Sequence, residues 1–185
     1  MLERIETRLA EVCRFSLPRF TDNRGSFEVL FEENSIGKHL PRGTRFIQDN
    51  ISRSQKNVIR GLHYQVEPFS QGKLLTCIQG RIFDVVVDIR TKSPTFLEWE
   101  SFDLSSENPQ SIYIPPGFAH GFLSRSDNTI VHYKVTSDYN PSAERTIYWQ
   151  ASDIGIEWPI TGEPMLSSKD EVCGLAIDVI CGKTN

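Results

Sequence analysis

Gly72-Lys73-Leu74-Leu75-Thr76-Cys77-Ile78-Gln79-Gly80, followed after Arg81 by Ile82-Phe83-Asp84-Val85-Val86-Val87-Asp88-Ile89-Arg90, sets the architecture of this chain. Both runs are bounded by Gly and polar turn residues, and the second alternates Phe83, Val85, Val87 and Ile89 against Asp84 and Asp88, the signature of strands. Similar runs recur at 26–31, 46–52, 98–104, 111–114, 121–123, 129–135 and 146–149. Ser-Pro, Asn-Pro, Pro-Pro-Gly and Ser-Asp-Asn turns interrupt them, which favours two antiparallel sheets rolled together over alternating βα units. The pattern predicts an all-β jelly roll with short peripheral helices near 36–40 and after Ser168.

Composition narrows the function classes. A chain of 185 residues that is 38% hydrophobic can bury one core, and one domain over 1–185 is expected. The formal charge of −4 argues against general affinity for nucleic acid or an anionic membrane surface. An anionic ligand must therefore be held by locally placed Arg and Lys. No apolar run approaches the roughly 20 residues that span a bilayer, and Met1-Leu2-Glu3-Arg4-Ile5-Glu6 lacks the apolar stretch of a secretory signal. A cytoplasmic protein is expected. Cys13, Cys77, Cys173 and Cys181 form no C-x-x-C pair, which fits reduced, buried thiols better than a disulfide framework or a zinc site.

Two segments carry chemistry: Arg60-Gly61-Leu62-His63-Tyr64-Gln65 and Ile114-Pro115-Pro116-Gly117-Phe118-Ala119-His120-Gly121-Phe122. Together they resemble the two halves of a cupin site, which in metal-binding cupins supplies three histidines and a carboxylate. Here Gln65 stands where the second histidine belongs, and no glutamate follows at the expected offset beyond Glu67. Two histidines with an amide make a poor transition-metal site. No metal and no cofactor are therefore expected, and His63 reads as a free imidazole able to take protons.

Further stretches occur in a shared order along nearly the whole chain. They include Asp22-Asn23-Arg24-Gly25, Gln48-Asp49-Asn50-Ile51-Ser52, Gln71-Gly72-Lys73-Leu74 and Ser93-Pro94-Thr95-Phe96. Tyr133-Lys134, Tyr139-Asn140-Pro141, Ile154-Gly155-Ile156-Glu157-Trp158-Pro159 and Leu166-Ser167-Ser168-Lys169-Asp170 complete the series. On these the chain resembles the dTDP-4-dehydrorhamnose 3,5-epimerase family of nucleotide-sugar epimerases. The resemblance implies a cofactor-free cupin that inverts C3 and C5 of a 4-keto-6-deoxy sugar carried on dTDP. It also implies a homodimer in which an N-terminal strand carrying Arg24 reaches the partner's site.

The same resemblance suggests roles. His63 is similar to the family's base, Asp170 to the carboxylate that orients it, Lys73 to the cation near the developing O4 oxyanion, and Tyr133 to the acid on the opposite face. Arg24 and Arg60 resemble pyrophosphate and sugar contacts; Gln48, Asn50, His120, Glu144 and Lys169 match other nucleotide-sugar contacts; Tyr139 resembles the aromatic that stacks on the base. The family's glutamate four residues after the Gly of the Arg-Gly pair is here Val29, with Glu28 one place earlier. A one-residue displacement in a strand points a side chain to the other face.

Other readings stay open at this point. The alternatives are a single-centre epimerase, a 3,4-ketoisomerase, a metal-dependent cupin dioxygenase and a non-catalytic sugar-nucleotide-binding module. His120 either touches the ligand or braces the Pro-Pro-Gly turn. Tyr139 and Arg24 have plain readings as a turn aromatic and a solvated charge. Trp99, Trp149, Trp158, Phe83 and Phe102 read as core.

Overall fold

The computed structural model describes residues 2–171 and 173–182. One sheet runs, in spatial order, β1 (Glu3–Ile5), β2 (Cys13–Ser16), β10 (Gln110–Ile114), β7 (Lys73–Gln79), β12 (Thr129–Val135) and β5 (Gln48–Ser54). The other runs β13 (Glu144–Thr146), β6 (Ile59–Gln65), β11 (Phe118–Ser124), β8 (Arg81–Asp88) and β9 (Trp99–Ser105). Neighbouring strands are antiparallel throughout. β3 (Arg19–Asp22) and β4 (Gly25–Glu28) form a separate hairpin. Helix among the described residues is limited to a 3-10 turn at Gly37–His39 and α1 (Ala176–Ile180). This is the two-sheet jelly roll expected from the strand spacing.

Period-two alternation sends one set of side chains between the sheets. Leu75 and Cys77 of β7, Ile112 and Ile114 of β10 and Val131 of β12 meet Ile82 and Val86 of β8, Phe102 and Leu104 of β9, and Phe118 and Phe122 of β11. Full burial of each Leu, Ile or Phe contributes about 1.5–3 kcal/mol, so this layer decides which residues of every strand face inward. The outer face of the second sheet is covered too. Leu62, Tyr64, Val85, Val87 and Ala119 pack beneath Ile147, Ala151, Ile154 and Ala176 of the C-terminal segment.

Two glycine positions make this geometry possible. Gly80 carries the chain from β7 in one sheet to β8 in the other with φ +79°, and a Cβ there would lie 2.4 Å from Ser126 Oγ. Gly61 has φ +113°, and its Cβ would lie 2.6 Å from the His120 carbonyl oxygen and 2.7 Å from Gly121 Cα. Those are backbone atoms, so only glycine permits the approach of β6 to β11. The approach sets His63 and His120 side by side as cross-strand partners.

Some expectations shift. The run at 26–31 stops at Glu28, because Leu30 and Phe31 leave the hairpin to pack with Phe46 on Cys13, Phe15, Leu74 and Tyr113. The strand expected at 146–149 is Glu144–Thr146, since Trp149 turns inward onto Ile59 and Leu123. Cys13 and Cys77 are buried as expected, but Cys173 and Cys181 are exposed. They flank α1 in the single layer that lies outside the second sheet, where one side of the chain has no cover. Trp149 and Phe102 are buried, and Phe83, Trp99 and Trp158 pack partly buried against the same clusters. Among the described residues no helix is long and apolar enough to cross a membrane.

Candidate active site

A cavity of about 300 Å³ opens between the sheets, and its lining includes Arg60, His63, Lys73, His120, Tyr133 and Asp170. Strand parity explains the membership. Lys73 shares the inward face of β7 with Leu75 and Cys77, Tyr133 follows Val131 on β12, and His120 lies between Phe118 and Phe122 on β11. Leu62 and Tyr64 point outward into the second layer, which turns the intervening His63 inward. Lys73 and Tyr133 therefore enter from the six-stranded sheet, and His63 and His120 from the five-stranded one. Asp170 arrives on the turn that follows Ser167.

His63 Nε2 lies 2.5 Å from Asp170 Oδ1, and Ser167 Oγ donates to Asp170 Oδ2 at 2.6 Å. A carboxylate acceptor fixes the proton on Nε2 and leaves the lone pair on Nδ1, which no group bonds among the described residues. Burial holds the imidazole below the ordinary histidine value against the pull of Asp170, and Lys169 and Lys73 add to the lowering. Burial works against ionised Asp170, but the hydrogen bonds from His63 and Ser167 outweigh it and keep the carboxyl below its usual value. Burial brings Lys73 down to about 8. It pushes the Tyr133 phenol well above its ordinary value, and that hydroxyl lies 3.2 Å from Ser52 Oγ. At neutral pH the cavity thus holds a neutral imidazole, an ammonium and a protonated phenol. Such a set can remove a proton from carbon beside a carbonyl, stabilise the enolate and return a proton from the other side.

His120 bonds Asp84 rather than the Pro115-Pro116-Gly117 turn, with Nε2 2.7 Å from Oδ1. Asp84 is 0% exposed and its Oδ2 has no partner among the described residues. Both carboxylates of β8 are buried, yet Asp88 accepts bonds from Arg90, Ser93 and Thr95. An ion taken out of water costs several kcal/mol unless fully paired, more than one core side chain returns. Asp88 meets that condition as a loop anchor, whereas Asp84 meets it only in part, behind the cavity residue His120 that it bonds. The sequence reading missed Asp84; its signal was an inward position between Ile82 and Val86.

The remaining expected contacts line the cavity, form its rim or lie outside both. Arg60 lines the cavity, its Nε donating to Ser54 Oγ at 3.1 Å. Asn50 and Lys169 also line it, together with Gln71 and Ser167, which the reading had not singled out. Gln48 stands behind Asn50, donating to its Oδ1 at 2.6 Å. Glu144 joins Lys169 at 2.9 Å to the Tyr139 hydroxyl at 3.0 Å, a chain that makes one rim. Burial opposes the Glu144 charge, but the Lys169 ammonium holds its carboxyl below the usual value. Arg24 sits on the turn of the β3–β4 hairpin rather than within a strand, its side chain 86% exposed and paired with Asp22 at 2.6 Å. It is not among the residues that line this chain's own cavity. Glu28 is held by Arg19 at 2.5 Å, and Val29 lies beside Pro18, Phe20 and Ile36 around a separate depression. Gln65, in the place of the cupin histidine, donates to the Phe69 and Asp138 carbonyls. Among the described residues no group of three His, Cys, Asp or Glu side chains is placed to hold a metal.

The family model described as dTDP-4-dehydrorhamnose 3,5-epimerase matches residues 6–176. The dTDP-4-dehydrorhamnose 3,5-epimerase of Shigella flexneri is 46% identical over 166 residues, covering 90% of this chain and 91% of that protein. The crystal structure of the dTDP-6-deoxy-D-glucose-3,5-epimerase of Legionella pneumophila, in complex with dTDP-4-keto-L-rhamnose, superposes with a TM-score of 0.89 at 41% identity, covering 92% of this chain and 90% of that one. A 3′-monoepimerase of Streptomyces bikiniensis in complex with dTDP-quinovose gives a TM-score of 0.85 at 32% identity, covering 89% and 83% of the two chains.

Proposed function

We propose residue roles that proceed from one premise: the chain belongs to the dTDP-4-dehydrorhamnose 3,5-epimerase family and is an isomerase. It inverts C3 and C5 of a 4-keto-6-deoxyhexose carried on dTDP, dTDP-4-dehydro-6-deoxy-D-glucose to dTDP-4-dehydro-L-rhamnose, by proton abstraction through an enolate. His63 Nδ1 takes the proton, Asp170 holds the ring and stabilises the imidazolium, Lys73 faces the developing O4 charge, and Tyr133 delivers a proton to the opposite face. The observation that supports this division is that His63 and Tyr133 reach one cavity from opposing sheets. A cavity of about 300 Å³ is at the small end for ligand sites, so it takes the sugar ring and the nucleotide lies over the rim. Arg60 suits the diphosphate with its forked donors, His120 and Asn50 the sugar, and the chain of Tyr139, Glu144 and Lys169 with Gln48 the nucleoside.

Incubation with dTDP-4-dehydro-6-deoxy-D-glucose in deuterated water tests the activity, read by NMR of the recovered sugar. Deuterium is expected at both C3 and C5, because each inversion replaces the carbon-bound hydrogen with one from solvent. Label at one carbon alone would move the chain to the single-centre epimerases, and label at neither would remove the assignment.

The hairpin supports a homodimer. Phe20 and Phe27 are cross-strand partners on it, 59% and 66% exposed, and a paired aromatic surface of this kind is normally covered by another surface. A second copy provides that cover, and Arg24 on the hairpin turn then enters the partner's cavity. Arg24→Ala and His63→Ala are each expected to be poorly active, and their mixture should recover about a quarter of wild-type activity by reassortment of a symmetric pair. A mixture no better than its parts would return Arg24 to its own chain. We place the enzyme in the cytoplasm, where free thiols such as Cys173 and Cys181 stay reduced.

A further inference from the structure

We propose that Ser52 is the relay through which Tyr133 recovers its proton from solvent, an inference that rests on Tyr133 being the acid. In each turnover the Tyr133 O–H bond breaks as the enolate electron pair forms the new C–H bond, leaving a phenolate. That phenolate must be reprotonated before the next cycle. Burial makes it costly to keep, since the same burial raises the phenol above its ordinary value.

The only group that hydrogen-bonds the Tyr133 hydroxyl among the described residues is Ser52 Oγ, at 3.2 Å. Ser52 lies on β5, the edge strand of the six-stranded sheet, and is half-buried. It lies on the face of β5 that carries Asn50, a lining residue of the cavity, and Ser54, and because it is only half-buried its hydroxyl can meet water as well as the phenol. Ser54, two residues along on the same face, is engaged by Arg60 Nε at 3.1 Å. Ser52 is thereby left as the hydroxyl that serves Tyr133.

A serine hydroxyl donates and accepts at once, so it can pass a proton without ionising. Its O–H proton goes to the phenolate while a solvent acid supplies another to its oxygen. The imidazolium of His63 later releases the abstracted proton, so one proton enters and one leaves per inversion.

The test compares Ser52→Ala, Ser52→Thr and Tyr133→Phe, measuring inversion, deuterium washout from substrate carbon, and the dependence of rate on the deuterium fraction of the solvent. In Ser52→Ala inversion should slow by about 10²-fold, the low end of general acid–base effects, while washout through His63 persists. The curved dependence on deuterium fraction should become linear as one proton drops out of the transfer, and Ser52→Thr should restore both rate and curvature. Wild-type inversion in Ser52→Ala, equal slowing of washout and inversion, or no recovery with threonine would each overturn the relay. If Tyr133→Phe itself inverts normally, the acid assignment fails first. If Tyr133→Phe is inactive while Ser52→Ala inverts at the wild-type rate, the relay alone fails.

Discussion

His63→Ala is expected to lower turnover roughly 10²–10⁴-fold, the usual contribution of a positioned general base, while nucleotide-sugar affinity stays within a few-fold of wild type. The asymmetry follows from where the imidazole sits. Its Nε2 is committed to Asp170 at 2.5 Å, so only Nδ1 faces the substrate, and that nitrogen acts on the barrier rather than on the bound ground state. Affinity rests on Arg60, Lys169 and the Tyr139 rim, none of which bonds the ring. Asp170→Asn should give a smaller loss in the same direction, because an amide no longer stabilises the imidazolium. Steady-state kinetics with calorimetric binding of dTDP separates the two quantities. Near-normal turnover in His63→Ala would overturn the base assignment, and a parallel collapse of binding would reassign the residue to substrate contact.

The sequence showed the strands best where a long run sets an alternating apolar face into the layer between the sheets. Residues 129–135 coincide with β12, the run at 72–80 contains β7, and the run at 82–90 covers β8 from its second residue onward, because burial between the sheets imposes a period-two pattern. It showed β1, β2 and β3 poorly. These strands have three or four residues each, too short for alternation to register, and β3 is exposed along its length. The segment 60–65 drew attention for its histidine and proved to be strand β6, whose glycine approach to β11 is a tertiary fact with no local signature. The site followed the same logic. His63, Lys73 and Tyr133 stand out as reactive residue types in a recognisable order, but Asp84 reads as an ordinary solvated aspartate until its strand is known to be buried on both faces. Ser52 and Ser167 are unremarkable in sequence and gain meaning only from the 3.2 Å and 2.6 Å contacts they make.

Lys73→Met should cost roughly 10²–10³-fold in kcat, the range for losing one preorganised donor at a developing oxyanion, and should at the same time raise the melting temperature. The two effects share one cause. Burial brings the Lys73 ammonium from an ordinary value of 10.5 to about 8, so holding the charge in the folded protein costs on the order of 3 kcal/mol. The unfolded chain binds this proton more tightly than the folded one. Stability from this group therefore rises with pH between about 8 and 10.5, and the full cost applies below about 8. Catalysis runs the other way, since only the protonated amine opposes the O4 charge: wild-type kcat should fall as pH rises through about 8. Tyr133 stays protonated across that interval because burial lifts it well above its ordinary value, and His63 governs the acid side because burial holds it low. In Lys73→Met the alkaline fall should vanish from the pH profile of the residual activity. A variant that melts higher at pH 7 and has a flat alkaline limb would show stability given up for an oxyanion cation. If the limb persists unchanged, another group titrates there and Lys73 loses its place opposite the enolate.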